Sequence, residues 1–84
     1  MRLDKFLKVS RIIKRRTLAK EVIEQGRVQI NGQTAKAATT VKINDNIIIR
    51  FGHKQITIRV QEIRESPKKE EAANMYELIK EEVN

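Results

Sequence analysis

Lysine and arginine side chains are concentrated in the first 27 residues, where their number suits the binding of phosphate groups. This stretch holds nine Lys/Arg against three Asp/Glu, a net charge of +6. Like charges at this density repel one another, so the arrangement costs stability unless a polyanion neutralises it. The candidate phosphate-binding residues are Arg2, Lys5, Lys8, Arg11, Lys14, Arg15, Arg16, Lys20 and Arg27.

Arg16 is the residue that we expect to contribute most. Four of the nine cations lie between residues 11 and 16, directly before the start of a predicted helix. Free backbone N–H groups and the helix dipole favour phosphate at such a position. Arg15 and Arg16 would add fork-shaped guanidinium donors to the phosphate oxygens.

Two further polar residues near the helix starts are predicted to orient or cap. Asp4 lies in the first turn of the first predicted helix, where a carboxylate suits the positive end of the dipole. Thr17 is a candidate N-cap for the second helix, although Lys20 stands where a capping box would have Glu or Gln.

The apolar residues of this basic stretch recur at helical spacing, which predicts two amphipathic helices. The first helix is expected over residues 3–9 and the second over residues 17–25, with Gly26 as the C-terminal stop. The residues expected to face the core are Leu3, Phe6 and Leu7 in the first helix, and Leu18, Ala19, Val22 and Ile23 in the second. The cations would then point outward.

After Gly26 the apolar period changes from helical to alternating. Val28 and Ile30 alternate with Gln29, the Asn31-Gly32 pair is a strong hairpin signal, and residues 33–35 can form the return strand. Residues 46–51 and 55–63 are rich in β-branched residues and are expected to pair through a tight turn at residues 52–53. A second turn is predicted at residues 44–45.

The last 20 residues differ in charge and in pattern from the rest of the chain. Residues 28–64 carry +4, whereas residues 65–84 carry −3. Ala72, Met75, Tyr76 and Ile79 recur at helical spacing, which predicts a helix over about residues 70–82. The predicted fold is therefore α+β, with two N-terminal helices packed on a small bent antiparallel sheet plus a C-terminal helix. We divide it into a body of residues 1–64 and an acidic helical tail of residues 65–84, and the sequence leaves open whether the tail packs on the body.

Composition excludes several other classes of protein. The chain has 84 residues, a pI near 10.1, no cysteine and a single histidine, His53. No Gly-rich phosphate loop, nucleophile–histidine arrangement or metal-binding loop is recognisable, so we predict no enzyme, no cofactor and no metal site. No apolar run suits a membrane span or a signal peptide, and we expect a cytoplasmic monomer that does not bind membranes.

The scarcity of aromatic residues favours structured RNA over single strands as the polyanion. Single-strand readers stack bases on exposed aromatic side chains, but this chain has only Phe6, Phe51 and Tyr76, of which the first two fall at core-facing positions. A basic helical face without aromatics suits the backbone and shape of an RNA hairpin or junction.

Three segments together resemble the RNA-binding domain named after small-subunit ribosomal protein S4. The segments are MRLDKFL, KRRTLAKEVIEQGRVQINGQ and VKINDNI, and the resemblance as a whole covers about residues 1–52. Asn44-Asp45 replaces the usual Gly-Asp of the third segment, a change that should affect only a turn. The free-standing form with an acidic tail is similar to the short ribosome-associated heat-shock branch of the family.

The resemblance implies a specific setting on the ribosome. It implies binding to 23S rRNA of a large (50S) subunit obstructed by P-site peptidyl-tRNA, in support of C-terminal alanine tailing of stalled chains by a partner, RqcH. It also implies that Arg2 and Arg16 are the principal RNA-contacting residues, with Asp4 orienting Arg2.

Two other functions remain compatible with the residues. One is a general RNA or DNA chaperone that binds many duplexes without a ribosome-specific role. The other is a protein-interaction module whose working part is the acidic tail.

Overall fold

Two short helices pack together at the N-terminal end of the chain. The computed structural model describes residues 1–83, with α1 at Leu3–Val9 and α2 at Arg16–Glu24. The bounds predicted for α1 are confirmed, whereas α2 begins and ends one residue earlier than predicted. No helix in the described part of the chain is long and apolar enough to cross a membrane.

The helices contribute unequally to the core. Three side chains of α1, at positions 3, 6 and 7, are fully buried, while α2 buries only Ala19 and Ile23. Leu18, which was predicted to face the core, is 46% exposed. Ala19 and Ile23 are four residues apart and define the buried stripe, and Leu18 points about 100° away from Ala19.

The helices cover one face of a five-stranded antiparallel sheet with strand order β2-β1-β3-β4-β5. Its strands are β1 Val28–Ile30, β2 Gln33–Thr34, β3 Asn46–Phe51, β4 Lys54–Val60 and β5 Tyr76–Val83. The predicted α+β class and the bounds of β1 and β3 are confirmed. β4 ends at Val60, three residues earlier than predicted.

The two predicted turns are held to each other by side chains. Asn31 (φ 51°) and Gly32 (φ 85°) both have the positive φ of the hairpin turn that joins β1 and β2. The Asn31 side chain donates to Asp45 Oδ1 at 3.0 Å and accepts from the backbone N–H of Asn46 at 3.0 Å. These bonds connect the first hairpin to the turn that precedes β3.

Alternation along the strands gives the sheet two chemically different faces. Val28, Ile49 and Ile58 point into the core with the helices and are fully buried. The intervening residues, among them Gln29 and Arg50, point to the opposite side and are exposed. We call this second side the outer face of the sheet.

The prediction of a C-terminal helix over residues 70–82 is wrong for most of its length. A short helix, α3, spans Lys69–Ala72, and a 3₁₀ turn at Ala73–Met75 leads into β5. Helix propensity is a weak preference, and here pairing with the otherwise open edge of β4 outweighs it. β5 belongs to the same sheet as the body, so residues 65–83 contribute a strand to the fold as well as acidic charge.

The burial of Met75 predicts that truncating its side chain destabilises the fold more than truncating an exposed side chain of β5. Met75 is fully buried and Leu78 is 52% exposed. We expect Met75→Ala to lower the free energy of unfolding by about 2–5 kcal/mol, and Leu78→Ala, as the control, to lower it by less than about 1 kcal/mol. Urea unfolding of both variants checks this, and equal small losses would show that residues 69–83 do not share the core.

Candidate nucleic-acid interface

The candidate interface is centred on the buried carboxylate of Asp4. Its side chain is 4% exposed and lies between the guanidinium groups of Arg2 and Arg16. Arg2 reaches both oxygens, with Nε at 3.2 Å from Oδ1 and Nη2 at 3.3 Å from Oδ2. Arg16 also reaches both, with Nε at 3.4 Å from Oδ2 and Nη2 at 3.5 Å from Oδ1. One carboxylate therefore fixes two arginines that are 14 positions apart in the chain. We call Arg2 and Arg16 the arginine pair.

Backbone contacts fix the position of Asp4 itself. The backbone N–H of Leu3 donates to the Thr39 carbonyl at 2.8 Å, and that of Asp4 donates to the Ala37 carbonyl at 3.2 Å. The Val41 N–H donates to the Met1 carbonyl at 2.9 Å, and Arg2 forms a bridge with Thr40. The segment before β3 thus holds the start of α1 and occupies N–H groups that could otherwise have bound an anion.

The surroundings of Asp4 keep its carboxylate charged. Burial by itself acts to raise the pKa of Asp4, but hydrogen bonds from Arg16, from Arg2 and from the backbone N–H of Lys5 at 2.8 Å outweigh it. The pKa of Asp4 therefore lies below its ordinary value of 3.8. At neutral pH the carboxylate is an anionic anchor for the arginine pair.

The arginine pair is held in place while much of each side chain stays in contact with solvent. The Arg2 side chain is 50% exposed and the Arg16 side chain is 47% exposed. Both direct Nε and Nη2 at Asp4, which leaves the N–H groups of Nη1 pointing away from the carboxylate. Two oriented guanidinium groups presented together can bind the non-bridging oxygens of phosphates.

Several of the other predicted cations continue this surface. Lys8, Arg11 and Lys14 line an open groove of about 570 Å³, whose opposite wall is formed by residues 65–67. Lys14 also borders a neighbouring concavity with Arg15. The surface made by Arg2, Lys5, Lys8, Arg11, Lys14, Arg15, Arg16 and Lys20 is called the helix face below.

Lys5 and Arg27 differ from the others. Lys5 forms an ion pair with Glu65, a partner that no sequence pattern indicated. Arg27 lies on the outer face of the sheet, where it shares a concavity with Arg50. The structure therefore does not bring Arg27 together with the arginine pair. It places Arg27 beside Arg50, an exposed cation that charge density along the sequence does not indicate.

Arg11 has a backbone conformation that side chains disfavour. Its φ is 64°, in the left-handed region where a residue other than glycine costs about 1–2 kcal/mol. The position follows Ser10, the C-cap residue of α1, and the Arg11 N–H donates to the Lys8 carbonyl at 3.0 Å. Helices commonly end with glycine in this place, so an arginine here adds a cation at the expense of stability.

The predicted capping role of Thr17 is wrong. The N-cap of α2 is Arg15, and no side chain caps this end. Since α2 begins one residue earlier than expected, Thr17 lies inside the first helical turn. The opening turn is instead fixed through the ion pair of Arg16 with Asp4.

Comparisons with known proteins place the chain among proteins of one family. The model of the S4 domain family matches residues 1–47. The RQC P-site tRNA stabilizing factor of Bacillus subtilis (strain 168) is 63% identical over 82 residues, which make up 98% of this chain and 95% of that protein. The protein of the same name from Halalkalibacterium halodurans is 61% identical over 82 residues, or 98% of this chain and 93% of that protein. Among solved structures, the trimeric structure of Vibrio cholerae heat shock protein 15 has a TM-score of 0.86 at 38% identity, covering 93% of this chain and 80% of that chain.

The lowered pKa of Asp4 predicts a pH-dependent contribution to stability. A carboxyl group whose folded-state pKa is depressed stabilises the fold fully above its ordinary pKa, and the contribution is lost as the pH falls through the folded-state pKa. We expect Asp4→Asn to cost about 1–3 kcal/mol at neutral pH and progressively less below the ordinary value of 3.8. Urea unfolding of both proteins across this range checks the prediction, and a pH-independent difference would contradict it.

The backbone conformation of Arg11 predicts that stability and RNA binding respond in opposite directions to one substitution. Arg11→Gly relieves the left-handed strain, and after the entropy cost of glycine we expect a gain of about 0.5–1 kcal/mol in the free energy of unfolding. The same variant loses a cation from the groove and should bind structured RNA more weakly. Thermal unfolding measures the change in stability, and filter binding measures the change in affinity for RNA. A variant that is less stable and binds RNA as well as the wild type would contradict both the strain at Arg11 and its contribution to RNA binding.

Proposed function

Because the chain belongs to the S4 domain family, as its sequence motifs predicted, we propose that it binds the large ribosomal subunit and stabilises P-site tRNA there. That the protein is a non-enzymatic RNA-binding member of this family is shown by the family match and by the identity to its relatives.

The observation that carries the proposal is the arginine pair held by Asp4. A phosphate-binding surface is more effective when its donors are already oriented, because less side-chain entropy is lost on binding. Arg2 and Arg16 are both fixed by the same carboxylate and both remain about half exposed. Lys8, Arg11 and Lys14, which form no ion pair within residues 1–83, extend this surface along the groove beyond a single phosphate.

The helix face suits recognition of RNA by backbone and shape. Among the three aromatic residues, Phe6 is fully buried and Phe51 and Tyr76 are partly buried against the core. Base stacking therefore has little part in the proposed mechanism. Phosphate contacts position the protein, and the shape of an rRNA hairpin or a tRNA stem selects the site.

The high identity to stabilizing factors of P-site tRNA supports a ribosomal role in preference to general RNA chaperoning. In this proposal the protein contacts 23S rRNA and P-site peptidyl-tRNA on an obstructed 50S subunit. It keeps the tRNA in place while RqcH extends the stalled chain with alanine. A clamp of this kind needs contacts to RNA and no catalytic group of its own.

Co-sedimentation through a sucrose gradient of cell lysate tests the proposal. Tagged protein should be enriched in 50S particles that carry tRNA, and excess free tRNA or duplex RNA should not displace it. A protein confined to the free fractions, or one removed from 50S by any duplex, would favour the general RNA chaperone.

The arginine pair predicts a specific loss of 50S binding. Arg16→Gln removes an oriented guanidinium, and we expect about a tenfold weaker association, because hydrogen bonds to charged groups contribute about 1.5–3 kcal/mol. The slope of log affinity against log salt should also fall by about 0.7–0.9. Arg64→Gln is the matched control, since it removes the same charge from an arginine paired with Glu62 and Glu71. Equal effects of both variants on affinity would mean that only net charge matters.

A further inference from the structure

We propose that the outer face of the sheet is a second RNA-binding surface, which takes the phosphate backbone of a different RNA segment from the one bound by the helix face. The inference rests on the proposed RNA-binding function and adds a second site to it. Its residues are Arg27, Gln29, Arg50 and Gln55, which line one shallow concavity of about 260 Å³ together with Gly26 and Ile48.

Strand register brings these residues together. The backbone N–H of Arg50 in β3 donates to the carbonyl of Arg27, the residue that directly precedes β1, at 3.0 Å, so the two arginines lie side by side. Gln55 is directly opposite Arg50 in the β3–β4 pair, and Gln29 is opposite Ile48 in the β1–β3 pair. Residues directly opposite one another in antiparallel strands point to the same face.

The two arginines are the cations of this face that acidic residues leave uncompensated. Arg59 pairs with Glu77 at 3.6 Å, and Lys80 pairs with Glu82 at 2.6 Å. Within residues 1–83, neither Arg27 nor Arg50 forms an ion pair. The outer face therefore presents two exposed guanidinium groups beside two carboxamides, which can donate to phosphate and 2′-hydroxyl oxygens.

The chemistry of the concavity favours RNA over an acidic protein. The centre of a protein interface is apolar and rich in aromatic residues, whereas this concavity contains a single large apolar side chain, the partly buried Ile48. The lining is otherwise made of guanidinium, carboxamide and backbone groups. Such a surface suits contacts to an RNA backbone without reading of its sequence.

The two RNA-binding surfaces lie on opposite sides of the molecule. The buried side chains of the helices and of the inner face of the sheet form one core, so this core and the sheet itself lie between the helices and the outer face. The Cα atoms extend over 31 × 24 × 21 Å, compared with a Debye length of about 8 Å at physiological salt. Charges on the two sides are therefore largely screened from each other, and one protein molecule can bridge two RNA segments.

A bridging assay tests the inference. A short RNA hairpin is immobilised and saturated with protein, and a fluorescent copy of the same hairpin is then added. We expect the wild-type layer to capture the second hairpin and the Arg27→Gln/Arg50→Gln layer to form normally but to bind the second hairpin about tenfold more weakly or worse. Arg59→Gln/Arg64→Gln is the charge-matched control, because it removes two arginines that already have acidic partners, and it should bridge as the wild type does.

The outcomes separate the two claims. A wild-type layer that forms but captures no second hairpin would overturn the second surface and leave the helix face intact. Equal capture by the Arg27→Gln/Arg50→Gln layer and by the control would also overturn it, since bridging would then come from elsewhere. If Arg27→Gln/Arg50→Gln prevents formation of the first layer while Arg2→Gln/Arg16→Gln does not, the proposed role of the helix face is wrong and the outer face is the principal site. Thermal unfolding of each variant confirms that it is folded.

Discussion

The ion pairs between one buried carboxylate and two arginines are the interaction on which the helix face depends. Asp4 would be costly to bury alone, because a charged group loses its hydration in a protein interior. Arg2 and Arg16 compensate that cost, and in return each loses freedom around its guanidinium group. The same contacts join the start of α1 to the start of α2. A single interaction therefore ties the geometry of the fold to the geometry of the surface.

The acidic residues of the C-terminal segment determine how positive charge is distributed over the surface, because they form ion pairs with some cations and not with others. Glu77, Glu81 and Glu82 pair with cations of β4 and β5, and Glu71 pairs with Arg64. On the helix face the described part of this segment, residues 65–83, forms an ion pair only with Lys5, through Glu65. The net charge of +7 is thus displayed unevenly, and cations without an acidic partner within residues 1–83 lie along the groove of the helix face and at Arg27 and Arg50 of the outer face.

The sequence was sufficient for most of the body, for reasons that particular residues illustrate. The apolar spacing of Leu3, Phe6 and Leu7 predicted α1, and Asn31-Gly32 predicted the first hairpin, because both are local signals with a direct steric or packing cause. The basic surface was also predictable, since charge density is visible in composition. Asp4 was expected to orient Arg2, whereas its contact with Arg16 depends on how the two helices pack.

The errors occur where distant parts of the chain decide the outcome. Residues 76–83 carry helix-forming residues but form β5, because the edge of β4 offers backbone partners that the segment itself cannot reveal. Thr17 looked like an N-cap, yet the helix starts earlier, at a residue fixed by Asp4. Arg27 lies near the helix cations in the sequence, whereas strand alternation directs it to the outer face beside Arg50.

The most direct test of the central claim is the affinity of Asp4→Asn for tRNA-bearing 50S subunits, compared with the wild type at the same salt. This substitution removes a negative charge from a basic surface, so electrostatic attraction alone would strengthen binding to RNA. If Asp4 acts by holding Arg2 and Arg16 in position, the variant should remain folded and bind more weakly. Unchanged or tighter binding by folded Asp4→Asn would contradict the account.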